Sequence, residues 1–298
     1  MSLTRVSGNV YVLEGRTNIG VITTEGRECL VVDTGVSRDH GRKLFNILKD
    51  MGLKIRAVIN THSHADHIGG NKIILERSNV VFYSSVLEKP FIELPLTEVI
   101  YLYGAYPPEI LRKHLIEAEG VPVDDVSKLI KEYFLRIEEL PGHSIGMIGV
   151  GIGNVLFSAD AFFPDEVIRK YVVPYHFNVQ EALKTLEKLN VDILKNYEVV
   201  VPSHGKILKS EEAQQLVSNN IKTIINIKNV ISRNADGVLS LNELIKRVFK
   251  DLALVPQTTI NYLLIVSALK SYIAWLVNED FIELTISDNE LYVRKVKT

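Results

Sequence analysis

The 298-residue chain has a single cysteine, Cys29, so no intramolecular disulfide framework is open to it. It also lacks an excess of either charge: 34 lysines and arginines face 36 aspartates and glutamates, a net charge of -2. That balance excludes a chain built mainly to grip a polyanion, although a local basic face could hide within it. No run approaches the roughly 18 uninterrupted apolar residues of a membrane span, and Met1 to Asn9 has no apolar stretch of signal-peptide length. The expectation is a soluble, cytoplasmic protein with no membrane association. Hydrophobic residues at 46% and charged residues at 23% exclude disorder and low-complexity sequence.

What is present, over the first two thirds, is a rhythm of strands and turns. Asn9 to Leu13, Ile19 to Thr23 and Cys29 to Val32 read as strands, the last closing on Asp33-Thr34-Gly35. Leu44, Ile47, Leu48 and Met51 recur at three to four residues, which predicts an amphipathic helix from Arg38 to Met51 stopped by Gly52. Arg56 to Asn60 reads as a buried strand running straight into Thr61-His62-Ser63-His64-Ala65-Asp66-His67. Five prolines break Lys89 to Tyr133 into short helical pieces, predicted as an insertion or lid over residues 89–133. Strands at Phe134 to Leu140, Met147 to Ile152, Val155 to Ser158 and Val199 to Val201 each end on a polar turn. Beyond Lys209 come three helical patterns and a β-hairpin, the order of a winged helix, which places a boundary between residues 1–209 and 210–298.

Histidines and aspartates gather at the strand ends. In extended chain, residues two apart point the same way, so His62 and His64 can face one metal while Asp66 and His67 turn toward a second. His143, Asp160 and His204 each follow a separate strand, as they would if several strand ends converged. Imidazole and carboxylate without thiolate suit zinc, and also iron or manganese. His40 and His114 lie in polar helical surroundings and receive no role; His176 stays open. Cys29 reads as a buried, inert thiol.

Thr61-His62-Ser63-His64-Ala65-Asp66-His67-Ile68-Gly69-Gly70, Pro141-Gly142-His143-Ser144, Ser158-Ala159-Asp160 and Pro202-Ser203-His204-Gly205, in this order, resemble the motif series of the metallo-β-lactamase superfamily. Leu30 to Gly35 is similar to its first motif, and the likeness spans about residues 1–210. The resemblance implies an α+β fold, an αββα sandwich with a metal site at one edge, here followed by a winged-helix-like domain. It implies two zinc ions: His62, His64 and His143 on the first, Asp66, His67 and His204 on the second, and Asp160 bridging. It also implies a metal-bridging hydroxide, so no nucleophilic side chain is assigned. Asp66 and Tyr175 are the candidate catalytic residues, Tyr175 as an oxyanion or substrate contact. Asp33 either orients the His62–His67 loop or simply ends its strand. Lys206 is a candidate contact for an anionic group. Tyr101, Tyr103, Tyr106, Phe162, Phe163 and Tyr171 could join Tyr175 in lining a pocket.

Two departures narrow the family. Zinc β-lactamases of the best-known class carry cysteine where Asp160 stands, and flavodiiron relatives carry glutamate where His64 stands, so neither activity is expected. The leading expectation is hydrolysis of a small ester-like substrate, a thioester of the glyoxalase II type or a lactone. The alternatives are an endoribonuclease or phosphodiesterase, a persulfide dioxygenase and an idle binding protein. Residues 206–298 hold 12 basic against 10 acidic side chains, and the apolar Thr259 to Leu276 offers only Lys270 as a cation. Nucleic acid is therefore not the favoured partner, and that helix is expected to pack in a core or a homodimer.

Overall fold

In the strand Glu28–Val32, Leu30 and Val32 point one way and Cys29 and Val31 the other, and all four are buried. A strand buried on both faces needs a layer on each side. The computed structural model, which describes residues 3–78, 80–115 and 118–296, supplies both. One sheet has seven strands in chain order: Leu3–Ser7, Val10–Leu13, Ile19–Thr23, Glu28–Val32, Lys54–Ile59, Val81–Ser84 and Val123–Asp125. Pairing is antiparallel up to Glu28–Val32 and parallel from there on. The second sheet orders Leu208–Lys209, Val199–Pro202, Val155–Ala159, Ile148–Ile152 and Arg136–Glu139.

The two sheets meet through Val12, Leu30, Val32 and Ile59 on one side and Val150, Phe157 and Val201 on the other. Outside the first sheet, Val31 and Val58 pack under Leu44 and Leu48 of the helix Arg38–Asp50. Outside the second, Leu156 and Val200 pack under Leu186 of the helix Val179–Lys188 and Val217 and Ile224 of the helix Ser210–Asn234. The result is an αββα sandwich. It is produced by successive strand side chains entering opposite layers, both of them apolar, and by the three-to-four spacing of apolar residues in the helices.

Part of residues 89–133 differs from the expected insertion. The helices Lys89–Glu93, Leu96–Tyr103 and Glu109–Leu115 do form a helical run, but Val123–Asp125 then pairs with Val81–Ser84 as the edge of the seven-stranded sheet. Val121 and Val123 are buried in the core beneath it. A three-residue strand behind Pro122 is too short for a period to show in sequence. The side chain of His114 lies outside the described residues.

Beyond the helix Ser210–Asn234 follow the strand Val238–Ser240, the helices Leu241–Asp251 and Thr259–Asn278, and the hairpin Ile282–Ser287 and Glu290–Lys295. The three strands form their own small sheet. Its core is continuous with that of the sandwich: Leu244, Leu269, Tyr272, Trp275 and Val293 join the cluster that holds Leu186 and Leu156. By length and composition Thr259–Asn278 could cross a membrane, yet Ala268, Leu269, Tyr272, Ile273, Trp275 and Leu276 are buried within the protein.

Close backbone approach explains the glycine pair that ends the histidine-rich loop. A Cβ on Gly70 would lie 2.5 Å from the Thr34 carbonyl oxygen and 2.7 Å from Gly41 Cα, and one on Gly69 would lie 2.5 Å from the Val36 carbonyl carbon. Those neighbours are backbone and cannot swing aside. Gly70→Ala is expected to destabilise the protein by about 2 kcal/mol or more in denaturant titration, and wild-type stability would contradict this packing.

Candidate metal centre

Asp33 leaves the end of Glu28–Val32 with φ 62°, which turns its buried carboxylate under the neighbouring strand end. There it accepts from Thr61 N and Thr61 Oγ1, both at 2.8 Å, and from His67 Nδ1 at 2.8 Å. One carboxylate thus holds both ends of the loop carrying His62, His64, Asp66 and His67. Thr34 Oγ1 donates to Asn71 Oδ1 at 2.8 Å and so fastens the exit of the same loop. His143 and Asp160 follow Arg136–Glu139 and Val155–Ala159, and His204 follows Val199–Pro202.

The structure brings all seven sequence-derived candidates together. Ligand atoms of His62, His64 and His143 lie within 4.8 Å of one another, as do those of Asp66, His67 and His204, and those of His62, His67 and Asp160. Asp160 stands between the two groups, with Oδ2 3.4 Å from His143 Nε2 and 3.3 Å from His204 Nε2, and Oδ1 3.6 Å from His67 Nε2. Three buried polar atoms there, His64 Nε2, His67 Nε2 and Asp160 Oδ1, have no hydrogen-bond partner among the described residues. Buried polar atoms without partners are costly unless something binds them. A donor set of imidazole and carboxylate, converging around unpartnered atoms, fits one or two divalent cations.

Charge follows this arrangement. Burial, reinforced by His67, His64 and His143, pushes the His62 imidazole well below its ordinary pKa, and burial beside His64 does the same for His143. Both offer lone pairs at neutral pH. His67 is buried too, but Asp33, Asp66 and Asp160 outweigh that and hold its pKa well above the ordinary value. Asp160 raises His204 to about 9. The Asp160 carboxyl, despite its burial, is kept well below the usual range by His204 and His67. Without a metal, then, His67 and His204 carry protons that a cation must displace.

Several assignments shift. Lys206 is exposed and paired with Glu212 at 2.9 Å, and together with His204 it lines a cavity of about 360 Å³ on the outer side of the cluster. Tyr103, Tyr106 and Tyr171 are 45%, 65% and 43% exposed and line nothing there. Tyr101 and Tyr175 do come together, hydroxyl to hydroxyl at 3.4 Å. The Tyr175 ring lies 5.8 Å from that of His64 and 5.9 Å from that of His143, and its carbonyl accepts His143 Nδ1–H at 3.0 Å. His176 is buried beside His143 and Phe163, and burial lowers its pKa to about 4. Cys29 is buried, and burial pushes its thiol to about 12.

Two functional carboxylates were missed in sequence. Glu88, fully buried, accepts from Ser63 N at 2.9 Å, Ser144 Oγ at 2.6 Å and Gly146 N at 2.8 Å, and so ties the His62–His64 loop to the His143 loop. Glu98, on Leu96–Tyr103, brings Oε1 to 3.7 Å from His64 Nε2, and burial raises its pKa. The only signal for Glu88 is a charge beside the apolar pair Val86-Leu87; Glu98 offers none.

Comparison with known proteins agrees with this geometry. Residues 12–204 match the family model of the Metallo-beta-lactamase superfamily. The chain is 28% identical over 213 residues to the probable metallo-hydrolase MJ0888 of Methanocaldococcus jannaschii, covering 67% of this chain and 89% of that protein. It is 29% identical over 136 residues to the hydroxyacylglutathione hydrolase of Blochmanniella pennsylvanica, 46% of this chain and 43% of that one. In fold it is similar to a beta-lactamase domain protein from Burkholderia ambifaria, with TM-score 0.68 at 17% identity, covering 99% of this chain and 93% of that chain. A metallo-beta-lactamase family protein from Thermus thermophilus matches with the same score and identity, over 96% of this chain and 99% of that one.

The raised pKa values set a pH dependence. A histidine held above its unfolded value stabilises the fold fully below about pH 6.5, and loses that contribution as pH rises through the folded value. For His204, with His67 acting in the same direction, the window is about 6.5 to about 9. The chelator-treated protein is therefore expected to lose on the order of 5 °C in Tm across that range. A flat or rising Tm would contradict the paired charges.

Proposed function

Because the chain belongs to the metallo-beta-lactamase superfamily and is a metal-dependent hydrolase, we propose that it cleaves a small ester-like substrate, a thioester or a lactone, in the cytoplasm. The observation carrying this reading is the roof over the His64 and His143 side of the ligand cluster. The helix Leu96–Tyr103 lies over it with Glu98 and Tyr101 turned inward, and Tyr175 walls the His64 and His143 side. The groups around the cluster are acidic, Asp33, Asp66, Glu88, Glu98 and Asp160, while the nearby Lys206 is neutralised by Glu212. A cluster roofed on this side suits a small substrate better than an extended polyphosphate backbone.

Bound divalent cations would supply a water acidified toward neutral pH and a Lewis-acid contact for the scissile carbonyl. His62, His64 and His143 would hold one, Asp66, His67 and His204 the other, and Asp160 both. The protein's own contribution is to fix these groups before substrate arrives. Asp66, the most exposed carboxylate of the set, is steadied by Thr17 Oγ1 at 3.3 Å and is placed to take a proton from water. Asp33 and Glu88 keep the loops from relaxing as charge develops. Tyr175 orients the substrate against His64 and His143. Phe91 and Phe177 flank the Tyr101 ring at 6.1 and 5.5 Å and hold it in place.

Salt separates this reading from a nuclease. A protein gripping 6–10 phosphates loses roughly 10³–10⁵ in affinity between about 50 and 200 mM salt, whereas a small ester makes at most one or two ionic contacts. Turnover of a thioester and lactone panel is expected, with KM changing only a few-fold over that range, and with a His62→Ala, His64→Ala double variant inactive. Cleavage of single-stranded RNA with a steep salt slope, absent from the double variant, together with no ester turnover, would overturn it.

A further inference from the structure

Four of the five histidines in the cluster hand their outward nitrogen to an acceptor built into the sandwich or its loops. His62 Nδ1 lies 3.1 Å from Thr61 Oγ1, and His67 Nδ1 lies 2.8 Å from Asp33 Oδ2. His143 Nδ1 and His204 Nδ1 donate to the carbonyls of Tyr175 and Arg16 at 3.0 and 2.8 Å. His64 is turned the other way round. Its Nδ1 points inward, 3.0 Å from His62 Nε2 and 2.8 Å from His143 Nε2, and its outward Nε2 is buried with no hydrogen bond among the described residues. The group facing that atom is Glu98 Oε1 at 3.7 Å, on a side chain only 17% exposed.

We propose that Glu98 is a positioning residue: it accepts a hydrogen bond from His64 Nε2–H when His64 Nδ1 gives its lone pair to a cation. This rests on the reading that His62, His64 and His143 hold a divalent ion. A neutral imidazole has one lone pair and one N–H, so engaging Nδ1 puts the proton on Nε2, where a buried N–H needs an acceptor. A carboxylate in that place fixes the tautomer and strengthens the ligand.

Glu98 differs from the other four acceptors in where it comes from. It arrives on Leu96–Tyr103, a helix that also packs against Thr259–Asn278 of the C-terminal segment. The same helix carries Tyr101, whose hydroxyl meets that of Tyr175, the residue whose carbonyl holds His143. Seating of this helix therefore bears on two of the three residues around the first cation, His64 through Glu98 and His143 through Tyr175. The C-terminal segment gains a role in the metal centre, and its Ser267 hydrogen-bonds the Tyr175 side chain directly.

The test is zinc titration of metal-stripped, full-length protein against a chromophoric chelator, for wild type, Glu98→Ala, Glu98→Gln, His64→Ala and the Glu98→Ala, His64→Ala double variant. Glu98→Ala is expected to weaken the ion held by His62, His64 and His143 by about tenfold to a hundredfold, and to leave the other within about threefold. Glu98→Gln, which keeps an acceptor oxygen, should lose less, with the metal-free Tm of wild type. Because Glu98 acts through His64, its removal should add nothing in the His64→Ala background. Unchanged affinity in Glu98→Ala, or a loss that simply adds to that of His64→Ala, would overturn the assignment. Wild-type protein that binds no divalent ion would overturn the metal reading and this inference with it, a result distinct from failure of the variants alone.

Discussion

The metal centre depends on one buried carboxylate. Asp33 sits in a left-handed turn at the end of the central strand Glu28–Val32 and binds the two ends of the His62–His67 loop through Thr61 and His67. A charge in that position is tolerable only because three donors, one of them a histidine, meet it. Without it, the loop would lose the contact that sets His67 in its tautomer, and Thr61 would release the start of the His62 segment. The close backbone contacts of Gly69 and Gly70 then press the loop's exit against Thr34, Val36 and Gly41. Position in the site is thus inherited from the rigid ends of strands and not from the loops themselves.

Glu88 and Glu98 extend the same logic away from the sandwich. Glu88 joins the two ligand loops to each other, and Glu98 brings the overlying helix to His64. That helix rests on Thr259–Asn278, whose C-terminal half is buried in a core shared with the second sheet. The chain beyond residue 210 is therefore packed into the sandwich, which gives its apolar third helix a physical reason to exist. Half of that helix is core; the rest supports the roof of the site.

The sequence carried the ligands clearly because they gather in polar segments just after short apolar strands, as at Lys54–Ile59 and Val155–Ala159, and because His62, His64, Asp66 and His67 are spaced too closely to be accidental. The two-sheet architecture was legible only through the resemblance these motifs carry. What was not legible depends on distance in space. Glu88 and Glu98 lie in an irregular, proline-broken stretch where no period says which way a side chain turns. Lys206 looked free because its partner Glu212 is six residues on, in the next helix. Tyr103 and Tyr106 looked like pocket residues by type, but only Tyr101 of the three faces inward. Val123–Asp125 is three residues long, and strand pairing, not propensity, decides its state.

We propose that seven side chains form one preorganised centre for two divalent cations. The most direct measurement is anomalous diffraction at the zinc absorption edge from crystals of zinc-loaded protein. Two peaks per chain are predicted, one among His62, His64 and His143 and one among Asp66, His67 and His204, with Asp160 between them. A single peak, or zinc bound away from these residues, would contradict it.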